Sequence, residues 1–438
     1  MSLCVGGRHL SLGRISRETL SIWLFSAALV LAYVVPSELT SVMFFMLVLV
    51  LMLGNPGAID RKTAGVLKPI MGMALLGLIY GFSNAPVDIV RDVWLVVKAL
   101  TCILLGYSLA RLVKRIDRLL KQFVLVSLFL SMLFIAPYLA GSRELGIENS
   151  GGFASLPLAT VLALPLLLMR GNGLVRFGSR HFRRIAVIVI LLAYGLSFSR
   201  TGIGCAVIMV LAAVGVFDNL KRLFIYGAVF ASVAFFSFQL LPSIDTDDIT
   251  FASKIGNSLS EIAFTDGFDP REMLTNWRGF EAYRAFIDFI ETAPLQQLLG
   301  RGLGATVDLG VVVQMSEKMN FRFIPHLHNG YMHILSKFGV IGVLLYVLFL
   351  YRISMRPLSV QSTPGQITVR RVLIGMSIVL AYTTLVITGI FNKGNHDSFL
   401  IMMGVFFWIS YNLGRNAGPP RTPVKPQISI GRRSQHAA

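Results

Sequence analysis

Apolar runs broken by short polar turns recur along nearly the whole chain. They predict membrane spans at 19–35, 39–53, 65–82, 88–110, 122–140, 152–169, 183–199, 201–217, 222–241, 330–351, 369–391 and 397–413. Each is close to the ~17–25 apolar residues that cross a ~30 Å hydrocarbon layer. In lipid every backbone polar group must be satisfied within its own segment, so these runs read as helices. The pattern predicts an all-α polytopic membrane protein of about twelve transmembrane helices, with one large periplasmic loop containing an amphipathic helix. Its divisions are 1–241 (nine spans), 242–329 (the loop), 330–414 (three spans) and 415–438, a Pro/Arg-rich basic tail with the composition of disorder. No internal repeat is visible.

The segment 242–325 interrupts the pattern. Structureless loops beyond ~12–15 residues are usually functional or disordered, and this one is too rich in apolar residues for disorder. Within it, 273–292 has helical periodicity: Phe280, Tyr283, Phe286, Ile287 and Ile290 share one face, and Arg278, Glu281, Arg284, Asp288 and Glu291 lie largely on the other. Two readings stand side by side. One is a helix resting on the membrane surface with its charges paired in water. The other makes Arg278 and Arg284 anion contacts at a cleft.

Composition strengthens the membrane reading. Of 438 residues 55% are hydrophobic and only 14% charged, against ~25% charged in soluble domains. The net charge of +18 resembles a nucleic-acid signal until the charges are placed. Arg61/Lys62, Arg111–Lys121, Arg170–Arg184, Lys221/Arg222, Arg352–Arg371 and the tail all fall on one side of the predicted spans. This is the positive-inside bias, with both termini cytoplasmic, and nucleic acid is not needed to explain it. The three cysteines, Cys4, Cys102 and Cys205, imply no disulfide framework. Arg8, Arg14 and Arg17 precede the first apolar run, which is read as a retained helix because no small-residue cleavage site follows.

Polar residues concentrate in a few places. Glycines at 300, 302 and 304 let backbone N–H groups approach a phosphate or simply make a tight turn; no βαβ unit surrounds them, so they are not a dinucleotide fingerprint. Ile324–His333 holds His326, His328 and His333, three of the seven histidines. Their spacing fits no zinc motif, and the readings are general acid/base use of one imidazole or a structural role at the mouth of a bundle. Ser197–Gly202 joins two apolar runs with almost no loop and leaves Arg200 at the outer boundary, either snorkelling to the headgroups or gripping a phosphate. Lys98, Arg91, Asp92 and Lys337 lie inside or near the ends of spans, as packing pairs or substrate contacts. Asp245, Asp247 and Asp248 read as an acidic loop start rather than a metal site.

The long late loop, the Ser199-Arg200-Thr201-Gly202 turn, the Gly300–Gly304 block and His328-Asn329, then nine residues, then Gly339-Val340-Ile341-Gly342, together resemble the O-antigen ligase and polymerase superfamily of membrane glycosyltransferases. Trp277-Arg278-Gly279-Phe280-Glu281-Ala282-Tyr283-Arg284 followed by His328-Asn329-Gly330-Tyr331 is more similar to its exopolysaccharide and O-antigen polymerases. The resemblance covers roughly 185–350. It implies a metal-independent inverting enzyme of the bacterial inner membrane, with no cofactor. On the periplasmic face it would move a glycan from undecaprenyl diphosphate to an acceptor sugar, with chain-length regulator and flippase proteins as further partners.

By position the resemblance makes Arg200 and His328 catalytic, with Glu281 an alternative base or an orienting partner. It makes Arg278, Arg284, Arg301, His326, Asn329 and Tyr331 substrate contacts. Rival expectations are a ligase acting on a lipid A-core acceptor, a lipid-linked-glycan transporter built on discontinuous helices around Pro157 and Pro165, and a scaffold in which the His and Arg substitutions are silent.

Overall fold

The computed structural model describes residues 3–5, 8–10, 16–54, 59–141, 156–169, 171–197, 199–219, 277–316, 319–355, 362–392, 394 and 396–416. Short strands β1 (Leu3–Val5) and β2 (Arg8–Leu10) pair ahead of the first helix. Helices α1 (Arg17–Val34), α2 (Ser37–Leu53), α3 (Arg61–Gly81), α4 (Pro86–Leu112) and α5 (Ile116–Leu139) follow as an up-and-down series. Their starts are written locally: Ser16 caps α1, Asp60 accepts from the N–H of Lys62 and Thr63 at α3, and Pro86 opens α4. After α6 (Ala163–Leu168) come α7 (Arg180–Leu196) and α8 (Arg200–Ala213). The later elements are α9 (Trp277–Ile290), α10 (Pro294–Leu299), the antiparallel hairpin β3 (Val307–Ser316) and β4 (Met319–Ile324), α11 (Gly330–Ser354), α12 (Pro364–Ile387) and α13 (Asp397–Asn416).

The chain is a polytopic membrane protein. Among the described residues six helices, α1, α3, α4, α5, α11 and α12, are long and apolar enough to cross a bilayer. Apolar stretches at Ser37–Leu53, Leu158–Leu168 and Arg200–Ala213 are shorter. The expected span at 152–169 is instead a 3-10 turn, Leu158–Leu162, running into the two-turn α6, with Pro157 and Pro165 limiting regular helix. The expected span at 222–241 and the acidic run Asp245–Asp248 lie outside the described residues.

The hairpin corrects the all-α expectation. Val307, Leu309 and Val313 are buried while Gly310 and Val312 face out, a strand alternation crossed by a register shift between Asp308 and Val313. With Phe280, Ala285, Ile324 and Leu327 these residues form a second small core, separate from that of the bundle.

At the centre of the bundle α13 lies against α4. A side chain at Gly106 would meet the Ile401 carbonyl at 1.8 Å, and one at Gly404 the Ile103 carbonyl at 1.9 Å, so the two backbones nearly touch. Phe399, Leu400, Ile401, Met402, Met403, Val405, Phe406 and Phe407 are all fully buried. A buried ion pair joins the same helices: Lys98 Nζ lies 2.9 Å from Asp397 Oδ1 and 3.0 Å from the Asn392 carbonyl. The two buried lysines among the described residues, Lys98 and Lys337, thus both have packing partners. Lys337 pairs with Asp92 and donates to the Ala305 carbonyl at 2.9 Å.

Candidate functional site

The described part of the loop, from Trp277 onward, folds onto one end of the bundle as a cap made of α9, α10, the glycine turn and the hairpin. On α9, Phe280 of the apolar face is buried together with Glu281 of the polar face. Gly279, Phe280, Glu281, Ala282 and Ala285 face inward, whereas Phe286 and Ile290 are 39% and 48% exposed. Small residues let the helix sit close to the hairpin and α11, and the bulky ones are turned outward. Glu281 therefore carries a carboxylate into an apolar core, 1% exposed, at a cost that needs compensating partners.

His328 supplies both partners. Its backbone N–H donates to Glu281 Oε1 at 3.0 Å, and its Nδ1 lies 2.7 Å from Glu281 Oε2. The imidazole is half exposed while the carboxylate is shut away. With Nδ1 committed to the carboxylate, Nε2 is the nitrogen left to accept a proton from outside. Thr388, at the end of α12, holds the same segment by donating to the Leu327 carbonyl at 2.9 Å. It does so from a left-handed backbone, φ 65°, which a β-branched residue rarely adopts. Nothing in the local sequence of Thr388 marks it beyond the following Gly389.

Arg200 opens α8 behind the cap residue Ser199 and is half-buried. Its carbonyl accepts from Tyr382 Oη at 3.4 Å. Tyr382 and Thr388 are six residues apart on α12, roughly 9 Å of helical rise. One stretch of α12 thus anchors Arg200 and His328 at the same end of the bundle. Beside Arg200 lies a cavity of about 50 Å³ lined by Tyr194, Ser197, Ser199, Thr201 and His396. His396 is 1% exposed, and neither ring nitrogen has a hydrogen-bond partner among the described residues. Sequence reasoning passed over it, although the polar run 392–397 before the last apolar span was the available signal.

The other expected contacts divide sharply. Arg278, one turn before Glu281, has no hydrogen-bond or ion-pair partner among the described residues and is half-buried. Arg284 instead lies over the hairpin, where Gly310 leaves room for its guanidinium, and reaches the Asp308 carbonyl at 3.5 Å. Arg301 is committed to an ion pair with Asp288 and to Ser336 Oγ at 2.9 Å. Burial lifts the Asp288 carboxyl above its ordinary range, and Arg301 pulls it back. Asn329 caps α11, accepting from the N–H of Tyr331 and Met332 at 3.0 and 3.2 Å. Tyr331 donates to the Ala381 carbonyl at 3.2 Å. His326 lies edge-on to the buried His333, ring centroids 4.9 Å apart.

The glycine turn has no free cradle for a phosphate. The N–H groups of Arg301, Gly302, Leu303 and Gly304 donate to the Ser336, Lys337 and Gly77 carbonyls and to Asp92 Oδ2, all within 3.1 Å. Gly302 has φ 84°, and a side chain there would meet the Gly81 nitrogen at 2.0 Å. The turn is needed because α11 breaks at Gly339, φ 64° and ψ −165°. The break frees the carbonyls of Ser336 and Lys337, and the N–H groups of Arg301 and Gly302 take them. The nine residues between Asn329 and Gly339 are therefore the distance from the helix cap to this crossing point. No group of three or more histidine, cysteine or acidic side chains is placed to hold a metal among the described residues.

A comparison with curated proteins returns no match. Residues 185–347, which run from α7 through the cap and well into α11, match the family described as O-antigen ligase. This chain is a multi-pass membrane protein that carries an O-antigen ligase family domain over those residues.

Proposed function

We propose that the protein is a surface-polysaccharide polymerase of the bacterial inner membrane, transferring a glycan from undecaprenyl diphosphate to an acceptor sugar on the periplasmic face. The observation that carries the reading is a half-exposed imidazole backed by a buried carboxylate, inside the family domain and at the same end of the bundle as Arg200. His328 Nε2 takes the proton of the acceptor hydroxyl as its oxygen attacks C1 from the face opposite the leaving group. Glu281 orients the ring and stabilises the imidazolium that forms. The C1–O bond to the diphosphate breaks with inversion, and charge grows on the departing diphosphate. Arg278 and Arg200 stabilise that growth more than the ground state. Arg284, Arg301 and Asn329 shape the cap instead of touching substrate. Membrane lipid surrounds the carrier chain, and the cap, from α9 to the mouth of α11, holds the chemistry.

The family description favours one second reading, a ligase that delivers finished chains to lipid A-core. Proteoliposomes with a diphosphate-linked oligosaccharide, with and without lipid A-core, separate the two by product size. Polymer without lipid A-core supports the polymerase, and a single transfer that requires it supports the ligase. Full activity of His328→Ala with either acceptor would end both.

A further inference from the structure

At the opposite end of the bundle from His328, the first turn of α7 carries Arg180, Arg183 and Arg184. All three border one groove of about 300 Å³, whose remaining walls are apolar and include Leu167, Leu168 and Val187. No acidic residue lines it, and among the described residues none of the three guanidiniums has a hydrogen-bond or ion-pair partner. Arg371, toward the same end, shows the contrast: it donates to Asp218 at 2.8 Å and to the Ala213 carbonyl at 3.0 Å. Three cations clustered at the start of a helix also oppose its macrodipole, which favours anions there. Such a cluster is electrostatically costly as it stands, and an anion in the groove removes the cost. Ile188 also lines the groove, and it and Ile185 form an exposed apolar strip on α7, 62% and 59% exposed. A ligand must therefore combine an anion at headgroup depth with an apolar body.

We infer that this groove binds the phosphodiester headgroup of an anionic phospholipid, with its acyl chains laid along Ile185 and Ile188. The guanidiniums supply paired donors to the phosphate oxygens, and Leu167 and Leu168 exclude water from one side. The inference is independent of the transfer chemistry at the other end of the molecule.

The test uses the full chain in phosphatidylcholine nanodiscs doped with phosphatidylglycerol, with retained lipid counted by native mass spectrometry. A basic site contributes about five-fold in affinity per arginine, so the triple variant Arg180→Gln, Arg183→Gln, Arg184→Gln should lose roughly 100-fold of the phosphatidylglycerol preference. A control triple, Lys62→Gln, Lys114→Gln, Arg118→Gln, removes the same charge from exposed positions at the same end and should keep it. Equal loss in both triples would reduce the effect to surface charge and overturn the site. So would an unmodified protein without the preference, or displacement of the lipid by millimolar inorganic phosphate, which would make it a free-anion site. Should the triple variant fail to insert, the unmodified protein still decides. A headgroup-labelled photoreactive phosphatidylglycerol should crosslink to 180–188, and crosslinks confined to other segments would reject the assignment.

Discussion

His328 Nδ1 and Glu281 Oε2 lie 2.7 Å apart across 47 residues of sequence, and this contact closes the cap onto the mouth of α11. The carboxylate is buried and the imidazole half exposed, so the pair has an inside and an outside, as an oriented base requires. Glu281→Gln keeps an acceptor for the His328 N–H but removes the negative partner of the ring. Transfer in proteoliposomes should fall about 100-fold, while the melting temperature does not drop, because a buried charge becomes a neutral amide. A variant with the full rate would remove Glu281 from the mechanism.

The glycine turn is a close crossing of three backbones. Gly302→Ala combines a positive φ with a clash at 2.0 Å against the Gly81 nitrogen, and should cost at least about 3 kcal/mol. Gly141→Ala, φ 67° with open space around it, should cost only about 1 kcal/mol. Thermal melting of the two purified variants provides the comparison; equal melting temperatures would mean that the crossing is not tight.

Hydrophobic runs located the helices well because a membrane span must be apolar throughout its length. The limits of α1, α3, α4, α11 and α13 lie within a few residues of the apolar runs. The same cue misled at 152–169, where length and hydropathy satisfy a span but two prolines do not satisfy a continuous helix. In the cap, Phe286 and Ile290 share the apolar periodicity of Phe280 but are exposed, while Gly279, Ala282 and Ala285 set the face packed on the protein because close approach needs small side chains. His328 stood out as a polar residue at a helix mouth. Its tie to Glu281 depends on a fold that brings distant segments together, and periodicity carries no such information. The hold of Thr388 on the same segment is invisible in sequence for the same reason, whereas His396 lies in a polar run that was there to read.

Lys98 and Asp397 are each 2% exposed at the α4–α13 contact. Lys98→Met leaves a buried carboxylate without its cation and should destabilise by about 3–5 kcal/mol. The double variant Lys98→Met, Asp397→Leu removes both charges and should recover most of that loss. Denaturation of the unmodified protein, the single variants Lys98→Met and Asp397→Leu, and the double variant in one detergent reads the coupling. Additive losses would show that the pair does not act as a unit.

The hairpin carries its own acid sensitivity. Arg322 and the Gly310 N–H hold the Asp308 carboxyl down at about 2, against an ordinary 3.8, with Arg284 adding to the effect. A depressed carboxyl stabilises the folded form fully above its unfolded value, and that contribution is lost as pH falls from 3.8 toward about 2. Amide exchange in β3 and β4 should accelerate across that window, and Asp308→Asn should flatten the dependence. The group is exposed, so the effect is confined to the hairpin and small for the whole molecule.

Arg278 and Arg301 separate chemistry from architecture within the same cap. Arg301 holds Asp288 on α9 and Ser336 on α11, so Arg301→Ala should lower the melting temperature while leaving the rate per folded molecule within a few-fold. Arg278 has no partner among the described residues and stands one turn from Glu281. Its removal therefore costs the fold little. If it stabilises the leaving diphosphate, Arg278→Ala should lose about 100- to 1,000-fold in rate at an unchanged melting temperature. Lysine at that position keeps the charge but not the planar pair of donors, so Arg278→Lys should recover only part of the rate. Transfer assays normalised to folded protein by gel filtration distinguish the two arginines. Should Arg278→Ala melt early and turn over normally, the diphosphate contact would have to come from Arg200 alone.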